Sequence, residues 1–334
     1  MVVLDEAHTL DVINDGFYDG LKLNSSIHNL TVYCGGNNII GGVQKILKAY
    51  QENNDHLTVI SIGRAGLQHG GDIVMAETLR RCTDLREFEL FNCNVTDEQL
   101  LPMVDAIRGH RSMEKLFLYG NRIGNTGCET IATLLRDPNC NLHLLNLNAS
   151  NINNEGVAIL ANSLANNTNL RELNLYRNRV DQGVVDIFVR VLCNTTSIND
   201  TYSSNHILEN LSLQQRKGGH LHPLLRMNEG TNKSHVAIKK ILKYHPNIDM
   251  EPLFEWNMEG EGERDLKALP FVVAWFDRAG EAVAGEEGGS YNIDERKLSA
   301  MYQFAKAMPL MFVPASHNKG GNNKRKRGSD GHFT

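Results

Sequence analysis

Thirteen histidines and six cysteines are the side chains best suited to hold a metal or attack a substrate, and their spacing argues against both roles. A zinc site draws its ligands from signatures such as His-Glu-x-x-His on one helix face or paired Cys-x-x-Cys turns, and neither occurs. The one close histidine pair, His220 and His222, has no carboxylate or cysteine beside it. Cys34, Cys82, Cys93, Cys128, Cys140 and Cys193 are irregularly spaced and read as reduced thiols, mostly small buried hydrophobes in an intracellular protein. No Gly-x-x-x-x-Gly-Lys-Ser/Thr loop is present to cradle phosphate, and no Gly-x-Ser-x-Gly elbow presents a nucleophile. Acids and bases are plentiful but ungrouped. The expectation is a protein that is not an enzyme and holds neither metal nor cofactor.

The side chains that do recur at fixed spacing are apolar. Leu85-x-x-Phe88-x-Leu90-x-x-Cys93-x-Val95 is followed by Met113-x-x-Leu116-x-Leu118-x-x-Asn121-x-Ile123. Then come Leu142-x-x-Leu145-x-Leu147-x-x-Ser150-x-Ile152 and Leu170-x-x-Leu173-x-Leu175-x-x-Asn178-x-Val180. Upstream, Leu57-x-x-Ile60-x-Ile62-x-x-Ala65-x-Leu67 fits, and Ile27-x-x-Leu30-x-Val32 fits loosely; the steps are 30, 28, 28, 29 and 28 residues. A recurring period of this length marks stacked supersecondary units, none of which can bury its apolar face alone.

Within a unit the alternation Leu116, Phe117, Leu118 predicts a short strand with the leucines inward and Phe117 outward. The ninth position favours Asn, Cys or Ser because the chain turns inward there, and a short polar side chain can satisfy the backbone groups the turn leaves unpaired. Ala65 lacks such a group, so its turn is expected to be less well tied. Each motif precedes a helical stretch. In one, Val157, Leu160, Ala161 and Leu164 share a face, and Thr96-Asp97-Glu98 and Asn153-Asn154-Glu155 carry helix-start chemistry.

The unit LxxLxLxxNxI followed by Gly-x-x-x-Leu-Ala-x-x-Leu resembles the ribonuclease-inhibitor class of leucine-rich repeats, from about residue 25 to 195. The resemblance implies an α/β fold: a right-handed solenoid, or horseshoe, with an inner parallel sheet, outer helices and a concave face that binds other proteins. The stretches Lys239–His245, Leu269–Trp275, Leu298–Tyr302 and the terminal Lys-Arg-Lys-Arg are also similar to a group of repeat proteins from unicellular algae, which implies no activity.

The expected organisation is a capping half-repeat at 1–24, built on a helix over 8–23 with Leu10, Ile13, Phe17 and Leu21. A solenoid follows at 25–213, with about six repeats and an irregular last one over 197–213, where Leu208-x-x-Leu211-x-Leu213 resumes the motif. Residues 214–231 read as an aperiodic connector. Residues 232–313, holding Trp256 and Trp275, read as a helical region that either caps the last repeat or forms a separate partner-binding module. The tail 314–334 reads as disordered; within it Lys324, Arg325, Lys326 and Arg327 fit a nuclear import signal or a solvated charge run.

The net charge of −5 is held despite that basic tail, so the body is more acidic still. This excludes the broad basic face that non-specific nucleic-acid binding needs. The first residues lack a basic segment followed by an apolar run, and no stretch reaches membrane-spanning length. A protein partner is therefore expected, not nucleic acid or membrane, in the cytoplasm or nucleus, with the oligomeric state open.

If the leucines face inward, the intervening side chains form rows across the strands. One reads Ser61, Glu89, Phe117, Asn146, Asn174; the next reads Gly63, Phe91, Tyr119, Asn148, Tyr176, with Arg64, Asn92, Arg171 and Arg177 beside them. The candidate partner-binding residues are Arg64, Glu89, Phe91, Phe117, Tyr119, Asn146, Asn148, Asn174, Tyr176 and Arg177. Aromatics next to arginine have the composition of an interaction hot spot; the alternative is that the rings only stack across strands and stabilise the ladder. An adaptor is the primary expectation. A small-GTPase regulator is the alternative, since Ran GTPase-activating proteins use this repeat class, although their acidic C-terminal run is replaced here by a basic one. A ubiquitin-ligase substrate receptor would need an F-box-like helical segment, which the short N-terminal stretch does not accommodate.

Overall fold

The computed structural model describes residues 2–4, 15–24, 26–34, 42–52, 55–67, 70–214, 221–230 and 232–245. These fall within the first of two compact units, Met1–Pro246; the second, Asn247–Thr334, lies outside the described residues, and with it the expected helices beyond 246 and the basic tail.

Strand and helix alternate along the chain: β1 (Val2–Leu4), α1 (Asp15–Leu23), β2 (Asn29–Tyr33), α2 (Gly42–Gln51), β3 (Val59–Gly63), α3 (Gly71–Arg81), β4 (Glu87–Phe91), α4 (Asp97–Ile107), β5 (Lys115–Phe117) and α5 (Asn125–Leu135). The alternation continues through β6 (Leu144–Asn146), α6 (Asn154–Ser163), β7 (Glu172–Asn174) and α7 (Gly183–Leu192). A short α8 (Ile198–Tyr202) precedes β8 (Asn210–Ser212), and α9 (Leu221–Asn228) and α10 (Lys233–Tyr244) follow. The strands form one parallel sheet in strict chain order, β1 to β8. Parallel neighbours need a crossover of a dozen or more residues, and the helix of each unit supplies it.

The register aligns the repeats. Leu30, Ile60, Phe88, Leu116, Leu145, Leu173 and Leu211 are successive partners, and Val32, Ile62 and Leu90 form a second column. Apart from Leu211, which is half-buried, all are almost fully buried. Each contributes roughly 1.5–3 kcal/mol through removal from water. The helices complete the core: Val157, Leu160, Ala161 and Leu164 on α6 are wholly buried. Strands pack about 4.8 Å apart while helices need about 8–10 Å, so stacking the two in one-to-one ratio bends the array with the sheet inside. The fold is a leucine-rich-repeat solenoid of the α/β class.

Polar side chains close the turns. Asn121 Oδ1 accepts from the backbone N–H of Cys93 (3.0 Å) and Val95 (3.1 Å), while Nδ2 donates to the carbonyls of Leu90 and Leu118, both at 2.8 Å. Asn178 repeats this with Ser150, Ile152, Leu147 and Leu175. The ninth-position side chain therefore ties the turn of the preceding repeat as well as its own. Ala65, at the same position, has no side-chain polar group to do this. Asn167 and Asn205 play the matching part before the strands; Asn205 Oδ1 accepts from Ile207 N and Leu208 N at 2.9 Å, and its Nδ2 donates to Leu164 O at 2.7 Å.

The N-terminal cap carries a strand, β1, paired with β2, and α1 covers the described part, Asp15–Leu23, of the helix expected over 8–23, whose residues 8–14 lie outside the described residues. The stretch expected to be a connector contains α9, with Leu224, Leu225 and Asn228 buried. Helix α10 packs on α8 and α9. Its Lys240 is fully buried and donates to Leu192 O (2.6 Å), Asn205 O (3.0 Å) and His206 Nδ1 (3.1 Å). Leu192 ends α7, so the ammonium sits where unpaired helix carbonyls and the helix dipole favour a cation. Thr201 donates its hydroxyl proton to Asn194 O, so the 2.7 Å contact with His245 has the ring Nε2–H as donor.

Candidate interaction surface

The sheet turns two rows of side chains away from the core. The register pairs Thr31, Ser61, Glu89, Phe117, Asn146, Asn174 and Ser212 in one row. Tyr33, Gly63 and Phe91 begin the next, and backbone bonds from Asn92 N to Tyr119 O, Gly120 N to Asn148 O and Ala149 N to Tyr176 O carry it onward. Eight of the ten candidates occupy these rows, and Arg64 and Arg177 occupy the turn directly after the second.

Within the second row the rings do not form an even series. Phe91 and Tyr119 lie face to face, 5.1 Å apart and 9° from parallel, and Phe91 also reaches Tyr33 at 5.4 Å. That reach depends on Gly63, because a Cβ there would come within 2.0 Å of the Phe91 ring. A three-ring cluster thus spans β2 to β5, worth about 0.5–1.5 kcal/mol per pair beyond area burial. Tyr33 was missed by the sequence reading. Counting back one repeat from Gly63 would have found it, but that repeat fits the consensus loosely. Tyr176 stands apart from this cluster beyond Asn148, 42% exposed, with the Arg177 guanidinium 5.6 Å from its ring centroid. Phe117 is half-buried in the adjoining row.

Glu89 locks the cluster from beside it. Its carboxylate accepts from the Ser61 hydroxyl through Oε2 and from the Tyr119 hydroxyl through Oε1 at 3.2 Å. Burial, with the Glu89 charge next, pushes the Tyr119 phenol up to about 12, so it stays a donor at any physiological pH. A ring held by stacking and by its hydroxyl loses little freedom on meeting a partner, which is the property of an anchor residue.

The turn after the second row is left-handed in every central repeat: Arg64, Asn92, Gly120, Ala149 and Arg177 have φ of 57°, 53°, 71°, 52° and 57°. Asn and Gly tolerate this conformation readily, whereas a residue such as Ala149 or Arg177 costs about 1–2 kcal/mol there. That strain is carried because the turn swings the ninth residue into the core. At Gly120 a second constraint acts, since a Cβ would meet Asn92 Oδ1 at 2.0 Å.

No three His, Cys, Asp or Glu side chains converge on a point among the described residues, and no described helix is long and apolar enough to cross a membrane. All six thiols are buried and free; burial pushes Cys82 up to about 11 and Cys93 and Cys128 to about 12, which leaves none of these three as a thiolate near neutrality. The partner of the His222 pair, His220, and the basic run Lys324 to Arg327 lie outside the described residues.

No family model matches the chain. It is similar to mouse NACHT, LRR and PYD domains-containing protein 5, 34% identical over 84 residues, which cover 25% of this chain and 7% of that protein. The human protein of the same name is 31% identical over 100 residues (30% and 8%), and human NACHT, LRR and PYD domains-containing protein 13 is 30% identical over 116 residues (34% and 11%). The chain thus spans about a tenth or less of the length of these relatives. A solved structure of leiomodin-1 actin-binding site 2 superposes with a TM-score of 0.36 at 16% identity, covering 53% of this chain and 93% of that one. The leucine-rich repeat (LRR) named in these relatives is what this chain's aligned interior columns build.

Proposed function

We propose that this chain is a non-enzymatic scaffold that grips a protein partner with the outward rows of its sheet. The observation that carries the reading is the Tyr33, Phe91 and Tyr119 cluster, placed on the inside of the bend and fixed by Glu89 and Ser61. Preorganised aromatic anchors flanked by polar groups are what protein interfaces concentrate at their centre. Relatives named for leucine-rich repeats support a protein partner, and the helix-backed period near 28 residues supports the ribonuclease-inhibitor class of repeat. No particular observation favours the small-GTPase regulator; it would show itself as stimulated GTP hydrolysis by the purified chain.

The test is affinity capture with the whole chain as bait, compared with Phe91→Ala, Tyr119→Ala and Gly63→Ala. The last leaves every ring in place chemically but forces Phe91 off Tyr33. Truncating a central anchor costs about 2 kcal/mol, a roughly thirtyfold weaker Kd. The partners retained by the wild-type chain should therefore be lost from both truncations and reduced with Gly63→Ala, while circular dichroism stays unchanged. Equal recovery by all four baits would leave the rings as ladder packing alone and end the proposal.

A further inference from the structure

The two ends of the outward rows differ in what they offer a ligand. At the β2 to β5 end the hydrogen-bonding groups are used internally, with Glu89 accepting from Ser61 and Tyr119. At the β6 to β8 end two amide oxygens accept backbone bonds and the amide donors are left over. Asn146 Oδ1 accepts from Asn148 N at 3.1 Å, and Asn174 Oδ1 accepts from Tyr176 N at 3.0 Å. These backbone N–H groups fix which way each amide points, because an Nδ2 cannot accept from them. Asn148 differs in that no backbone N–H meets its Oδ1, but that oxygen is buried, which leaves its Nδ2 as the end nearer solvent. What these three amides turn outward is N–H. Beside them Arg177 makes no ion pair among the described residues and lies against the Tyr176 ring.

We infer that the β6 to β8 end of the rows takes an acidic stretch of the protein partner, its carboxylates received by Asn146, Asn148, Asn174 and Arg177. This rests on the scaffold reading above and names the chemistry of the partner. Side-chain amides repeat on successive strands about 4.8 Å apart, and alternate residues of an extended chain are about 6.7 Å apart, a difference that long, flexible glutamate side chains take up. A peptide fits better than a nucleic acid. One unpaired arginine on a chain of net charge −5 does not supply the several cations that a phosphate backbone needs. The single acid on these three strands, Glu172, lies two residues before Asn174 on the same side, so it opposes a carboxylate at that edge and directs the acidic stretch toward Arg177.

An isosteric exchange tests this without disturbing the fold. In Asn146→Asp and Asn174→Asp the carboxylate still accepts the backbone N–H that Oδ1 accepts now, but the outward donor becomes an acceptor. Fluorescence anisotropy of the full chain would use labelled octaglutamate, octaglutamine, octalysine and an oligothymidylate. Octaglutamate should bind most tightly. The double variant Asn146→Asp, Asn174→Asp should weaken it by about tenfold or more at an unchanged melting temperature. Glu172→Gln should strengthen it a few-fold, and Glu129→Gln, exposed on the outer helix α5, should leave it unaltered. The inference is overturned if octaglutamate does not bind, if octaglutamine or the oligothymidylate binds as well, or if the double variant binds like the wild type. Should Phe91→Ala abolish partner capture while any of those results holds, the scaffold reading stands and the acidic partner falls.

Discussion

Asn121→Ala is expected to destabilise the fold by about 3–5 kcal/mol, and Asn178→Ala, which removes the same set of bonds one turn further on, by a similar amount. Asn121 is almost fully buried and serves four backbone groups in two successive turns. Truncation leaves the N–H groups of Cys93 and Val95 buried with no acceptor, at roughly 1–3 kcal/mol each, besides the lost bonds to Leu90 O and Leu118 O. Leu118 O keeps a second donor, Ser150 Oγ at 3.3 Å, which holds the estimate below the sum of four separate losses. Ser150 supplies the internal comparison. It is wholly buried at the same position of the next repeat, yet its hydroxyl only donates, to Leu118 O and at 3.4 Å to Asn148 O. Ser150→Ala should therefore cost about 1 kcal/mol or less. Urea unfolding of Asn121→Ala and Ser150→Ala checks this. Equal midpoints would mean that the asparagine does not carry the turns.

Acid should loosen the C-terminal cap. His206 is buried between two groups that fix its tautomer: Nε2–H donates to Tyr202 O at 3.0 Å, and Nδ1 accepts from Lys240 at 3.1 Å. Burial first, then the Lys240 charge, push its pKa down to about 4. The charged or titratable groups around the pair are Lys233 on α10, held by Glu209 at 3.1 Å, and the Cys193 thiol after α7. The sign follows from proton counting. An unfolded histidine takes its proton near pH 6.5 and the folded one refuses it until about 4, so stability present above 6.5 is lost as the pH falls toward 4. At 1.36 kcal/mol per unit this is about 3 kcal/mol. Lys240, pushed down to about 7 chiefly by burial, acts with the same sign at higher pH, so the cap gains stability between about 7 and 10.5. Thermal unfolding of the wild type and His206→Gln between pH 7.5 and 4.5 provides the check. The wild type should lose more stability than the variant over that interval; parallel curves would contradict the assignment.

The repeat was legible because solenoid cores are built from side-chain identity at a fixed period, and Leu116, Leu145 and Leu173 carry that identity into one buried column. Outward rows follow from the same register, so Phe91, Tyr119 and Asn146 could be placed without coordinates. Their interactions could not. That Phe91 leans across Gly63 to Tyr33, or that Asn146 spends its oxygen on Asn148 N, depends on rotamers that spacing does not encode. The ends were read least well, because capping units escape the period. Helix α9 has Leu221, Leu224, Leu225 and Asn228 at helical spacing, but the glycines before it and Pro223 in its first turn disguise the signal. Lys240 lies beside Lys239 in what reads as a solvated face. Its burial comes from carbonyls contributed by α7 and the 205–206 turn, which no local pattern reveals.

The proposed function turns on which side of the repeats a protein occupies. Hydrogen–deuterium exchange of the full chain, alone and with a partner recovered by affinity capture, measures that directly. The prediction is slowed exchange in the strand-and-turn segments 87–92, 115–120, 144–149 and 172–177, with the outer helices α3 to α6 unaltered. Slowing confined to those helices, with the strand segments exchanging as in the free chain, would contradict it.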